Sequence, residues 1–240
     1  MSLMKKLIKW ILGIGSIFLC IVLAIGLIYG TKGYFLYQGV IKDNPLSQLV
    51  EGIESKQHYT PYEELPEFYI HAVVAVEDHR FQQHHGVDPI AICRAAWNDI
   101  KTLSFAEGGS TITQQLAKNL YFTQEKKLER KFAEIFVAFD LERNYTKKEI
   151  LSLYVNTIYF GNGCYGIYDA AQKYFGKSPK ELTPYESAML AGIPNAPSAY
   201  SPSDNPELAE QRLRQVLKRM EACGVITKTE ITNILEESPH

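Results

Sequence analysis

Trp10 through Tyr29 is an uncharged apolar run, and it constrains this chain more than any other feature. As a helix it is long enough to cross the roughly 30 Å of hydrocarbon in a bilayer. Lys5, Lys6 and Lys9 precede it and only Lys32 follows closely. The positive-inside rule then puts Met1 in the cytoplasm and everything after about Lys32 on the outer side. A cleaved signal peptide is the competing reading. Its apolar core would be shorter, about 7–15 residues, and no small-x-small cleavage site follows here. The organisation expected is a cytoplasmic N-terminus at 1–9, a transmembrane helix at 10–29, a membrane-proximal linker at 30–61 and one outer domain at 62–240. Tyr34, Phe35, Leu36 and Tyr37 leave two readings of the linker open, a plain connection or a surface resting in the lipid interface.

The outer domain reads as all-α. Thr111-Ile112-Thr113-Gln114, Thr146-Lys147-Lys148-Glu149 and Thr183-Pro184-Tyr185-Glu186 are capping boxes that open helices. The third has proline at the first helical position, and Gly192 is expected just past its end. Ile112, Leu116 and Leu120 recur every fourth residue, and Leu128, Phe132, Ile135 and Phe139 form a further stripe at helical spacing. Few segments alternate with period two. Gly161-Asn162-Gly163 and the stretch from Pro194 to Pro202 are loops by composition, and Ala106 to Gly109 reads as mobile.

Composition excludes some classes of function. A net charge of -2 with 22% charged residues gives no electrostatic reason to expect nucleic acid. Cys20, Cys93, Cys164 and Cys223 form no C-x-x-C pair, so neither a zinc ribbon nor a redox dithiol is supported. Ser203-Asp204-Asn205 and Ser2-Leu3-Met4-Lys5 match two elements of penicillin-binding transpeptidases. The second lies before the anchor, however, and Lys228-Thr229 is followed by Glu230 rather than glycine, so both are chance matches.

The chemistry concentrates in the run Glu77-Asp78-His79-Arg80-Phe81-Gln82-Gln83-His84-His85-Gly86, which follows the apolar Ala72–Val76. A carboxylate at the edge of a buried segment is partly desolvated, its pKa rises, and it suits a general base. An acidic helix end with solvated histidines is the blander reading. Further on, Thr111, Gln114, Gln115 and Lys118 share one helix face, away from the leucine stripe, where amides and an ammonium suit a sugar or a phosphate. Lys127, Lys131 and Glu134 cluster on the next helix, flanked by Lys126 and Arg130. Periodicity does not separate salt-bridge decoration from an anion-binding patch there. A metal hydrolase using Glu77, His79, His84 and His85 lacks any H-E-x-x-H spacing.

Taken together these runs resemble the peptidoglycan glycosyltransferases of family 51, which comprise stand-alone monofunctional enzymes and the polymerase domain of bifunctional penicillin-binding proteins. The motif E-D-x-x-F-x-x-H-x-G matches Glu77, Asp78, Phe81, His84 and Gly86. G-G-S-T-I-x-Q-Q matches Gly108 through Ile112 with Gln114 and Gln115, and R-K-x-x-E matches Arg130, Lys131 and Glu134. K-x-x-I-L-x-x-Y-x-N matches Lys147, Ile150, Leu151, Tyr154 and Asn156, and R-x-x-x-V-L matches Arg212, Val216 and Leu217. The motifs stand in the family's order between about Pro66 and Met220. Lys126 stands where many relatives carry arginine, which keeps the charge and loses bidentate geometry.

The resemblance implies a lysozyme-like helical domain with a large lobe and a smaller membrane-proximal lobe, anchored by one helix in the bacterial cytoplasmic membrane. It implies polymerisation of lipid II into β-1,4-linked glycan strands with release of undecaprenyl pyrophosphate and inversion. Glu77 is the expected general base, and Lys118, Lys126 and Arg130 the expected cations for the leaving pyrophosphate, with Mg²⁺ or Mn²⁺ as helper. Glu134 is expected either to orient that machinery or to bind the metal. Ser110, Thr111, Gln114, Gln115 and Lys131 complete the expected substrate-binding set, and Asp78, Asn156 and Arg212 are expected as scaffolding. Expected partners are lipid II, the growing glycan, membrane lipid and other cell-wall synthesis proteins. Two rival readings share the same residues: a lytic enzyme acting on peptidoglycan, and a non-catalytic membrane-anchored cell-wall binding module.

Overall fold

The computed structural model describes residues 2–102, 108–123 and 127–237. The fold is 73% helical and has no sheet among the described residues. Tyr159 and Tyr165 form an isolated antiparallel bridge. The all-α expectation is therefore met.

α1 runs from Ser2 to Asp43, so the apolar run does not end in a loose linker but continues as one helix. At 1.5 Å per residue such a helix is about 60 Å long, twice the hydrocarbon thickness. The second half of α1 packs along α6 (Leu128–Asn144). Gly33 makes this possible. A Cβ there would lie 2.4 Å from Phe132 Cβ and 2.9 Å from the Glu129 carbonyl oxygen. Tyr34 and Tyr37 close around the Phe136 ring, and the Tyr37 hydroxyl donates to Asp140.

This contact corrects the expected core stripe of α6. Leu128 and Phe139 are exposed, while Ala133, Val137, Ala138 and Leu141 face the core. α6 is apolar on two sides because it is gripped by α1 on one and by α5 (Ile112–Tyr121) on the other. A single-stripe reading misassigns such a helix.

The core proper lies among α3 (Glu67–Glu77), α5, α7 (Lys147–Thr157), α9 (Pro184–Gly192) and α10 (Pro206–Ala222). Tyr69, Leu116, Tyr154, Leu190 and Leu217 are fully buried in it. All three expected capping boxes form, on Thr111, Thr146 and Thr183. Each satisfies donors that a helix start leaves unpaired, and each fixes where its helix begins. Gly192 differs from expectation. It is the last residue of α9, with φ of -80°, rather than a left-handed stop. Its value is closeness, since a Cβ there would sit 2.8 Å from Arg212 Cγ.

Two side chains hold the site loops. Asn156 accepts from Thr60 N at 2.9 Å and donates to Thr60 O and Ser152 O at 2.8 Å, tying α7 to the segment ahead of α3. Asp88 caps α4 (Pro89–Thr102) by accepting from Ile90 N and Ala91 N, and pairs with Arg80 at 2.9 Å. Ile90, Ile92 and Trp97 on α4 remain exposed.

Candidate active site

α3 ends at Glu77, and that end brings the site together. Asp78, next in the chain, points inward. Its carboxylate pairs with His84 Nε2 at 2.9 Å and accepts from Ile112 N at 3.0 Å. One buried carboxylate thus joins the end of α3, the following turn and the start of α5. Gly86 closes that turn with φ of +88°, where a Cβ would press on the Ala138 backbone, and Thr111 Oγ1 donates to its carbonyl at 2.6 Å.

Glu77 is half-buried and has a different environment. Gln115 Nε2 donates to its Oε2 at 2.8 Å, and the Tyr154 hydroxyl donates to Gln115 Oε1 at 3.2 Å. Burial pushes the Glu77 carboxyl above the usual carboxylate range, and neighbouring Asp78 adds to the rise. The Gln115 hydrogen bond, Arg212 and Lys118 act in the opposite sense. This carboxylate feels cations without an ion pair to any described residue, so its basicity is raised rather than consumed.

The second carboxylate, Glu134 on α6, is buried and paired twice. Arg130 Nη1 lies 2.8 Å from Oε1 and Lys131 Nζ 2.8 Å from Oε2. Lys131 also donates to Ser110 Oγ at 2.7 Å, which ties the glycine-rich loop to α6. Lys118, on α5, is drawn by Glu134 and Glu77 and repelled by Lys131 and Arg130, and burial pushes its pKa down. Its ammonium makes no hydrogen bond or ion pair among the described residues. A half-buried ammonium between two carboxylates is a ready partner for an incoming anion.

Beside Glu77 a cavity of about 380 Å³ opens between the glycine-rich loop and α10. Arg94, Arg212 and Arg219 line it together with His79, Ser110 and Asn195. His79 sits between Arg94 Nη1 and Arg219 Nη2, each 3.4 Å away, and burial with these two cations lowers its pKa. Arg212 Nε donates to Gly192 O at 3.3 Å, and Tyr200 stacks beneath its guanidinium at 5.6 Å.

Of the expected residues, the structure gathers Glu77, Ser110, Gln115, Lys118, Arg130, Lys131 and Glu134 around one region. Thr111 and Gln114 are buried and use their side chains in the capping box, with Gln114 N to Thr111 Oγ1 and Thr111 N to Gln114 Oε1 both 3.1 Å. Both side chains are thereby engaged at the start of α5, next to Ser110. Lys126 lies outside the described residues. Arg212 departs from a pure scaffolding role by facing the cavity, and Arg94 and Arg219 were not singled out from the sequence. Arg212 and Arg219 stand seven apart on α10, two helical turns, and that spacing was the available signal.

The histidines do not converge on Glu77 as a ligand set. His84 is bound to Asp78, His79 lies between two arginines and His85 is exposed. No group of three or more His, Cys, Asp or Glu that could hold a metal ion occurs among the described residues. Lys131 donates to Glu134 Oε2, while Oε1 lies 2.8 Å from Arg130 Nη1 but has no hydrogen-bond partner among the described residues. Hard divalent cations take several oxygen ligands and tolerate nearby cations poorly. The described residues by themselves thus supply no cage of several oxygen ligands for the helper metal expected from the sequence.

An all-helical domain behind a long apolar helix sets one desolvated carboxylate beside a cationic cleft, an arrangement suited to a substrate that carries an anionic group. The family profile described as Transglycosylase matches residues 42–221, beginning upstream of the boundary expected at 62. The chain belongs to this family, the peptidoglycan glycosyltransferases of family 51. Penicillin-binding protein 1A of Aquifex aeolicus is 50% identical over 172 residues, covering 72% of this chain and 24% of its own length. Penicillin-binding protein 2D of Bacillus subtilis is 42% identical over 182 residues, 76% of this chain and 26% of its own. The chain spans about a quarter of the length of these relatives. A crystal structure of Penicillin-Binding Protein 1A from Haemophilus influenzae superposes on 54% of this chain and 16% of its own, at 33% identity and a TM-score of 0.38.

Proposed function

We propose that this chain polymerises lipid II, with Glu77 as general base. The hydroxyl at C4 of the acceptor sugar attacks the anomeric carbon of the donor. Its proton passes to a Glu77 oxygen, the bond from C1 to the phosphate oxygen breaks, and the lipid pyrophosphate leaves with the bonding electron pair. Attack from the opposite face inverts the centre and gives a β-1,4 link. A sugar hydroxyl is a poor nucleophile at neutral pH, so a positioned base with raised pKa supplies what the step lacks. Pyrophosphate needs no general acid once its charge is stabilised, and Lys118 with Arg130 and Lys131 supplies that field. No step is routed through a divalent cation.

The observation that carries this reading is the contrast between the carboxylates. Glu77 is desolvated and bound to a neutral amide, while Glu134 holds two cations. Arg94, Arg212 and Arg219 form a second cationic wall, suited to the other lipid-linked substrate, since both donor and acceptor carry a pyrophosphate. The apolar helix at Leu12–Asp43 is long enough to cross a membrane and would hold the cleft at the surface where such lipids lie. In this reading the N-terminus is cytoplasmic and the cleft faces outward. Membrane lipid and other cell-wall synthesis proteins would be its neighbours.

Incubation of the purified full chain with labelled lipid II tests the proposal. Glycan should lengthen with time and released lipid pyrophosphate should match the links formed. Shortening of preformed glycan, with lipid II untouched, would establish the lytic reading instead. Binding without any conversion would leave the cell-wall binding module.

A further inference from the structure

We infer that Tyr154 is a positioning residue for the proposed base, acting through the side-chain amide of Gln115 to aim an N–H at Glu77. The inference rests on the glycosyltransferase reading, in which Glu77 takes the acceptor proton.

A primary amide has a donor end and an acceptor end, and rotation about its last torsion exchanges them. Gln115 places Nε2 at 2.8 Å from Glu77 Oε2, and its Oε1 accepts from the Tyr154 hydroxyl at 3.2 Å. Tyr154 is wholly buried on α7, so burial keeps its hydroxyl protonated. That hydroxyl fills the acceptor end of the amide and makes the turned orientation costly. In the turned state a carbonyl oxygen would face a carboxylate and the tyrosine would lose its acceptor. Tyr69 is the other wholly buried phenol that feels the Glu77 charge, but its hydroxyl has no hydrogen-bond partner among the described residues. It does not take over the task.

Loss of the Tyr154 hydroxyl frees the amide, the N–H is no longer held against Glu77, and the carboxyl becomes a weaker acid. The other charges around Glu77 stay in place. They are Asp78 and His79 beside it in the chain, Lys118 from α5, Arg94 from α4, and Arg212 and Arg219 from α10. Tyr154 and Asn156 fall in the same sequence motif, yet their tasks differ. Asn156 ties the fold together, whereas Tyr154 sets the chemistry of a side chain it does not touch.

The test is the pH dependence of kcat/KM for full-chain protein on labelled lipid II, compared between wild type and Tyr154→Phe. Tyr154→Phe should move the acid limb up by about half a pH unit to one unit, as expected for losing a hydrogen bond to the charged form. KM should stay within about twofold and the melting temperature should fall by no more than a few degrees, because one oxygen is removed and the half-buried Gln115 Oε1 it leaves is neutral. Gln115→Met should move the limb at least as far, and the double variant no further than Gln115→Met alone. Superimposable profiles for Tyr154→Phe and wild type would overturn the inference, as would losses that multiply in the double variant. If Tyr154→Phe fails to fold, Gln115→Met reads the same chain from its other end, and an unmoved acid limb there overturns it. Wild type that makes no glycan refutes the function itself, a result distinct from active wild type with an unmoved Tyr154→Phe profile.

Discussion

Replacing Glu77 by glutamine separates chemistry from folding more cleanly than any other change in this cleft. The amide of a glutamine at position 77 can turn its carbonyl to Gln115 Nε2 and keep the 2.8 Å hydrogen bond. It cannot accept a proton from a hydroxyl. General-base loss is worth about 10²–10⁴ in rate, or roughly 3–5 kcal/mol of barrier. Stability should move the other way. Burial raises the Glu77 pKa in the folded protein, so the folded state holds its proton more tightly than the unfolded chain. The stability this group contributes is present below its unfolded pKa of about 4.5 and is lost as pH rises through the folded value. At neutral pH the ionised carboxylate is therefore a net cost, and Glu77→Gln relieves it. Lipid II polymerisation by purified protein gives the rate, and thermal unfolding at pH 4 and pH 8 gives the stability. Glu77→Gln should melt at or above wild type at pH 8, with the difference shrinking at pH 4. Polymerisation within a few-fold of wild type would refute the base assignment, and a lower melting temperature at pH 8 would refute the desolvation argument.

Glu134→Gln should behave in the opposite way, because it leaves Arg130 and Lys131 without the carboxylate they share. Breaking a buried pair costs about 3–5 kcal/mol, and the lower end applies here because Lys131 is half-exposed. Calorimetry should show a fall of roughly 6–12 °C along with the loss of activity. Gly33→Ala should also destabilise, although alanine favours helix by about 1 kcal/mol, because a Cβ 2.4 Å from Phe132 cannot be accommodated without moving α1 off α6. Equal or higher stability on unfolding in detergent would show that the contact is looser. Ser203 is exposed, so Ser203→Cys in intact spheroplasts should react with a membrane-impermeant thiol reagent. Reaction only after membrane disruption would reverse the orientation.

What the sequence made legible was local. The capping boxes at Thr111, Thr146 and Thr183 need only residues three apart, and all three form. Helical period set Gln115 and Lys118 on one face, and it was the family resemblance that joined this face to Glu77. What stayed hidden depends on packing between distant segments. The two-sided burial of α6 requires knowing that α1 continues past the membrane length and lies against it. Gly192 reads as a helix stop in one dimension, yet in three it makes room for Arg212 from twenty positions away. Arg94 and Arg219 look like ordinary surface charges until α4 and α10 bring them to either side of His79. In sequence Thr111 and Gln114 read both as a capping box and as part of a polar face, and the structure shows the capping box formed.

In the proposed reaction the two carboxylates would divide the work through their neighbours. Glu134 cannot serve as a proton acceptor without giving up Arg130 or Lys131, and Lys131 in turn ties Ser110 and the glycine-rich loop to α6. Glu77 carries no such load. Its hydrogen-bond partner is a neutral amide, so taking up a proton breaks no ion pair and releases no loop. Electrostatic preorganisation is effective when fixed charges need not rearrange as the reaction proceeds. α6 meets that condition because its cation-bearing face is braced from behind, where Gly33 lets α1 approach backbone to backbone. In the proposed reaction α1 would thus be part of the catalytic frame, since the helix long enough to cross the membrane also packs against the helix that holds the cations.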